Sequence, residues 1–236
     1  MTNGKLPSKR ASDGDVKTFL AKLQATPAPR TSGRRGRLVF ALDATASRQP
    51  TWDRAAHITG EMFVETASLG GLDIQLCFYR GFGEFKVSPW LSDADPLLRM
   101  MSSVFCLAGE TQIRKVLSHT INETKREKVN ALVFVGDCVE EDVDKLGALA
   151  GELGVLGVPA FMFHEGDNPV AGFAFQQIAR LTNGAYLRFA PDSAHVLREL
   201  LGAVAVYAAG GRPALEDLAG RRGGEVKQLV HQVKGR

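Results

Sequence analysis

The stretch LVFALDATAS, residues 38–47, decides how the rest of the chain is read. Leu38 to Leu42 is a short, unbroken apolar run, the mark of a strand buried on both faces. It stops at Asp43, and Thr45 and Ser47 follow at a spacing of two. Residues two apart share a side while the chain stays extended, so as it curls into a loop their oxygens can converge on one point. One carboxylate and two hydroxyls are hard donors suited to Mg²⁺. The competing reading is local: Thr45 and Ser47 cap the next helix and Asp43 is a turn residue.

Outward from this strand the apolar pattern alternates between short continuous runs and helix-period segments, as βα units do. A helix is expected over about 52–69, ended by Gly70 and Gly71, then a strand over 72–79. Gly81 and Gly83 mark a tight turn into a half-exposed strand over 84–90 that pairs antiparallel with its predecessor. Helices follow over 93–105 and 113–127, separated by the loop 107–111. ALVFVG (131–136) and PAFMF (159–163) are buried strands, 185–189 is the last strand, and helices fall at 142–156, 173–181 and 193–209. The expected fold is α/β: a Rossmann-like three-layer α/β/α sandwich around a mainly parallel six-stranded sheet with one antiparallel edge strand.

In such a sheet ligands bind outside the carboxyl ends of the strands. Asp43 ends the first strand there, Asp137 ends ALVFVG, and Thr111 sits in the loop Gly109-Glu110-Thr111 that should open on the same edge. Asp43, Thr45, Ser47, Thr111 and Asp137 therefore form a five-residue oxygen constellation. His164, after PAFMF, is the one histidine placed at this edge; His57, His119, His195 and His231 fall in helical or tail segments. Glu140, Glu141, Asp142 and Asp144 read first as a solvated loop and an acidic helix start that suits the helix dipole, and second as a further cation site or a means of steering a basic partner. Cys138 reads as a small loop residue.

With these residues in place, the sequence resembles the von Willebrand factor type A (VWA) family. Asp43, Thr45 and Ser47 match its Asp-x-Ser-x-Ser signature with Thr at the first hydroxyl, Thr111 matches its loop threonine and Asp137 its second aspartate. The resemblance spans about residues 38–210 and includes the order of elements. It implies a metal-ion-dependent adhesion site for Mg²⁺ or Mn²⁺, with Thr45 and Ser47 as direct ligands, Thr111 direct or through water, and Asp43 and Asp137 behind water. A protein partner's Asp or Glu would complete the shell. Bacterial members often work beside AAA+ ATPases, which implies an adaptor in a multi-protein assembly. The chain departs from the family at Thr45, at Glu110 where a small residue is usual, and at Cys138 where Gly is frequent.

Composition bounds the function. Cut at residues 37 and 210, the chain separates into a basic N-terminal segment of net +7, an acidic middle of net −7 and a basic tail of net +3. A fold that binds nucleic acid through its surface is expected to carry positive charge there, so nucleic acid is an unexpected partner for the middle. Residues 1–37 are rich in Pro, Ser, Thr, Gly and basic residues and are expected to be mostly disordered. Within them Val16, Phe19, Leu20 and Leu23 form an apolar stripe on a short helix over 15–24. Residues 211–236 are read as a basic tail without a fold. No secretory leader or long apolar run is evident and the three cysteines form no metal pattern, so a cytoplasmic, non-membrane protein is expected. Two other functions compete with the binding module. In a metal-dependent phosphohydrolase Asp43 would be the nucleophile, but Thr45 stands where a second carboxylate is common. In a structural domain the basic tails would bind nucleic acid or an acidic partner.

Overall fold

A computed structural model describes residues 35–66, 71–190 and 194–221. The expected helix over 15–24 lies outside the described residues, as do the end of the tail and His231. In chain order the described elements are β1 (Gly36–Asp43), α1 (Gln49–Thr66), β2 (Leu72–Arg80), β3 (Glu84–Val87), α2 (Ala94–Ser102), α3 (Ile113–Arg126), β4 (Ala131–Gly136), α4 (Val143–Val155), β5 (Ala160–Glu165), α5 (Pro169–Leu181), β6 (Ala185–Phe189) and α6 (Ala194–Arg221). The six strands form one sheet in the order β3-β2-β1-β4-β5-β6. All neighbours pair in parallel except β3, which lies antiparallel on β2 at the edge. The expected three-layer α/β sandwich is the fold observed.

Alternation along the central strands divides the core into two layers. Leu38, Phe40 and Leu42 of β1 face α1, α2 and α6, with Trp52, Ile58, Leu97 and Leu200. Val39 and Ala41 face the other way, onto α3, α4 and α5, with Leu117, Leu146 and Phe175. Every residue of β1, β4 and β5 is buried, and this requirement selects unbroken apolar runs. In β3 the last two residues are exposed, as an edge strand permits. Trp52 locks α1 to its neighbours: its indole Nε1–H donates to Met101 O at 2.8 Å and its ring meets Phe78 edge-on.

Several elements differ from their sequence-based bounds, the first helix starting at Gln49 and the next ending at Ser102, and three of them do so for clear local reasons. Helix α5 starts four residues before position 173, because Asn168 caps it and Pro169 fits the first turn. The Asn168 side chain accepts from Val170 N–H at 3.0 Å and Ala171 N–H at 3.1 Å. The strand expected over 84–90 shortens to Glu84–Val87, after which Leu91 makes only an isolated bridge to Ile74. The last helix runs on to Arg221 across a break at Gly211, whose φ of 69° and ψ of −163° leave the helical region.

Capping by Asn168 gives a direct check. Asn168→Ala should lower unfolding stability by ~1 kcal/mol, the usual cost of losing such a cap, while Asn168→Asp should stay near wild type. Urea unfolding followed by circular dichroism measures both.

Candidate functional site

The strand order reverses between β1 and β4: β1 continues to β2 on one side, and the chain later enters β4 on the other. This is the crevice where an open α/β sheet offers a ligand site. Asp43 and Asp137, at the ends of these strands, flank it. Gly136, which precedes Asp137, leaves room for the Phe134 ring: a Cβ added there would fall 2.7 Å from Phe134 Cε1, while Asp43 Cβ would be in ordinary contact at 3.6 Å.

Asp43 is 2% exposed. Its Oδ1 accepts Thr45 N–H at 2.7 Å and its Oδ2 accepts the Tyr79 hydroxyl at 3.2 Å. Burial raises its pKa above the ordinary aspartate value, and the nearby Asp137 carboxylate adds to the rise, against the hydrogen bonds from Thr45. After Thr45 the chain enters a single 3-10 turn, Ala46–Arg48, which turns Ser47 outward. Ser47 Oγ donates to Asp137 Oδ2 at 2.9 Å, bridging the two loops. Asp43, Thr45, Ser47 and Asp137 are thus brought together.

Thr111 is held differently. Its hydroxyl accepts Glu140 N–H at 3.0 Å and its own N–H donates to Glu140 Oε2 at 2.9 Å, a reciprocal pair between the α2–α3 and β4–α4 loops. Glu141 accepts from the backbone N–H groups of Ile113 and Arg114 and so caps α3. Asp142 caps α4 through Asp144 N–H and Lys145 N–H. Two of the acidic residues read as a solvated run, Glu140 and Glu141, therefore fix the loop that carries Thr111. The partners lie 29 residues apart for Thr111 and Glu140 and 28 for Ile113 and Glu141, which leaves no local signal of the contact.

His164 is buried rather than presented at the edge. It shares a 2.9 Å hydrogen bond with the Tyr186 hydroxyl and packs edge-on against Phe175. Burial and the Arg188 charge lower its pKa to about 4, so it is neutral at ordinary pH. Cys138 is half-buried beside Asn168, and burial pushes its thiol pKa up. A buried node unforeseen from sequence lies under the site: Arg48, next to Ser47, forms an ion pair with Glu165 at the end of β5, and Thr51 Oγ1 donates to that carboxylate at 2.6 Å. It ties the start of α1 to β5. Tyr79, which bonds Asp43, was equally unforeseen, although its place at the end of β2 beside Asp43 follows from parallel register.

Among the described residues no cluster of three or more His, Cys, Asp or Glu suits a metal ion. Any cation at this edge would depend on hydroxyls beside the two carboxylates. No helix among the described residues is long and apolar enough to cross a membrane.

No protein-family profile matches the sequence, and no curated protein matches it. Solved structures do share the fold. The VWA domain of SpRpn10 aligns at 14% identity and a TM-score of 0.54, over 75% of this chain and 97% of that one. The vWF domain of the type V pili tip protein Mfa5 from Porphyromonas gingivalis aligns at 10% identity and 0.58, over 75% and 97%. Proximal thread matrix protein 1 from the mussel byssus aligns at 14% and 0.59, over 73% of this chain but only 48% of that one. The chain has the VWA fold.

The raised pKa of Asp43 carries a stability consequence. In the unfolded chain this group ionises near the ordinary value of about 3.9. The associated stability is present below that value and is lost as pH rises through the higher folded one. Asp43→Asn keeps an acceptor for Thr45 N–H and escapes the loss. Without divalent cation the variant should melt above wild type at neutral pH, and the difference should vanish toward about pH 3, below the unfolded aspartate range. Equal melting at neutral pH would contradict a destabilising burial of this carboxylate.

Proposed function

We propose that this VWA-fold chain is a protein-interaction module that holds Mg²⁺ or Mn²⁺ at the β1/β4 crevice and, through it, an Asp or Glu of a protein partner. The observation that carries this reading is the 2.9 Å bond between Ser47 Oγ and Asp137 Oδ2 beside the buried Asp43 carboxylate. Oxygens from two strand ends meet there at a point with negative charge and no opposing lysine or arginine bonded to either aspartate among the described hydrogen bonds.

The donor set fits a hard divalent cation. Oxygen ligands with few carboxylates leave room for water, as Mg²⁺ requires. Thr45 and Ser47 would hold the ion by their hydroxyls, Asp43 and Asp137 would act behind them, and Thr111 would join through the lone pair its hydroxyl keeps after accepting Glu140 N–H. The bound ion would supply an exchangeable position of positive charge for a carboxylate. The chain's own residues prepare it: Thr45 N–H and Tyr79 O–H orient the Asp43 carboxylate, and Ser47 bridges to Asp137.

The reading is one of binding and not of catalysis. Thr45 occupies the place where a phosphohydrolase would commonly carry a second carboxylate, and the neutral, buried His164 is a poor general base. The partner would belong to a cytoplasmic multi-protein assembly in which the chain acts as adaptor, an AAA+ ATPase being one candidate.

Calorimetric titration of Mg²⁺ and Mn²⁺ into the metal-free chain, with excess acetate in place of the partner's carboxylate, tests the reading. Wild type should bind, and Ser47→Ala and Asp137→Asn should bind roughly ten- to a hundredfold more weakly, the scale of lost ligand support. Absence of binding by wild type, or unchanged affinity in both variants, would refute the metal site.

A further inference from the structure

Three of the large apolar side chains that the fold leaves exposed belong to two touching loops at the carboxyl edge: Phe82 is 86% exposed, Phe105 70% and Leu107 47%. Phenylalanine is among the residues most often fully buried, so two this exposed on adjoining loops mark a surface of interest.

Backbone contacts fix both loops against each other and against the end of β1. Ala44 N–H donates to Tyr79 O at 3.0 Å, and Leu107 N–H donates to Ala44 O at 3.0 Å, one residue before Thr45. Glu110 N–H donates to Gly81 O at 3.3 Å, and Arg80 Nη1 donates to Phe105 O at 2.8 Å. Gly109 packs so tightly on Gly81 that a Cβ there would fall 2.0 Å from Gly81 O. Phe82 itself rides on a turn whose flanking glycines, Gly81 and Gly83, have φ of 56° and 91°, in the left-handed region that favours glycine. A side chain held outward by such a turn cannot easily fold back to hide. The patch is therefore a pre-set surface that begins one hydrogen bond from the loop bearing Thr45 and Ser47.

We propose that Phe82, Phe105 and Leu107 form the second half of the partner-binding surface, and that they take a large apolar or aromatic side chain of a partner segment whose Asp or Glu occupies the cation position. This rests on the reading of the β1/β4 crevice as a cation site. Charge selects the partner's carboxylate and the exposed aromatics select its neighbour, so the chain would recognise an acidic residue close in sequence to an apolar one. Aromatic anchors beside a charge-specific contact are where interfaces concentrate their energy.

The test uses the full chain as bait for a displayed library of random short peptides, selected in Mg²⁺ and eluted with chelator. Selected peptides should share an Asp or Glu near a Phe, Tyr, Trp, Leu or Met. The F82S/F105S double variant should bind them at least about tenfold more weakly, as expected when large apolar anchors are lost. Because both side chains are exposed, the variant should keep wild-type near-ultraviolet circular dichroism and wild-type Mg²⁺ affinity. Chelator-sensitive peptides that bind the double variant as tightly as wild type would overturn the patch and leave the cation site standing. Peptides that need the patch but ignore chelator would overturn the cation reading and this proposal with it. If no peptide is selected, and the amides of residues 81–83 and 103–107 exchange faster after F19S/L20S in the N-terminal segment, the chain covers its own patch and the partner proposal fails. Concentration-dependent self-association abolished by F82S/F105S would assign the patch to a second copy, with the same consequence.

Discussion

The double-sided burial of β1 is the constraint on which the rest depends. A strand covered by α1, α2 and α6 on one face and by α3, α4 and α5 on the other has no place for a polar side chain between its ends, so β1 is apolar from Leu38 to Leu42 and polar only at Arg37 and Asp43. Its last residue, Asp43, is the point at which that rule breaks, and the carboxylate is still almost fully enclosed when it does. An apolar residue at this position would avoid the desolvation of a charge. The hydrogen bonds from Thr45 and Tyr79 reduce that cost without abolishing it, since the pKa stays raised.

The surroundings show the same tension managed in different ways. Arg48 is buried but paired with Glu165, and a buried pair anchors two elements while contributing modest net stability. Glu141 is placed against the N–H groups that open α3, where the helix end has unsatisfied donors. Asp43 and Asp137 have no such cationic or helix-end partner among their described hydrogen bonds, only hydroxyls and a backbone amide. Within one loop cluster, then, the chain neutralises some acidic residues internally and leaves two others converging.

How much of this was legible in sequence follows from how local each signal is. The strands were legible because the middles of β1, β4 and β5 are short unbroken apolar runs, residues 38–42, 131–135 and 160–163, which mark strands buried on both faces. Parallel order then placed Asp43 and Asp137 at one edge. The starts of helices were less legible: Asn168-Pro169 carries a cap and first-turn signal, yet the apolar pattern of α5 becomes clear only at Phe173. The pairing of Arg48 with Glu165 and of Thr111 with Glu140 could not be read, because each joins loops far apart in the chain through polar contacts with no periodicity. Glu140 and Glu141 resemble an ordinary solvated run until the fold brings the α3 terminus beside them.

The reciprocal bonds between Thr111 and Glu140 also bear on how the site would work. A hydroxyl that already accepts one backbone N–H retains a second lone pair, so Thr111 need not leave its loop to interact further. Its amide, however, is tied to the Glu140 carboxylate, and any inward shift of Thr111 must stretch that bond or carry the β4–α4 loop with it. That loop begins at Asp137, which is bonded to Ser47. The three loops of the edge are therefore linked in series, Ser47 to Asp137 and Glu140 to Thr111, and the α2–α3 loop that holds Thr111 also holds Phe105 and Leu107. A ligand that pulled on the crevice would load the same chain of contacts that presents the exposed aromatic surface, which gives the polar and apolar halves of the edge a common mechanical support.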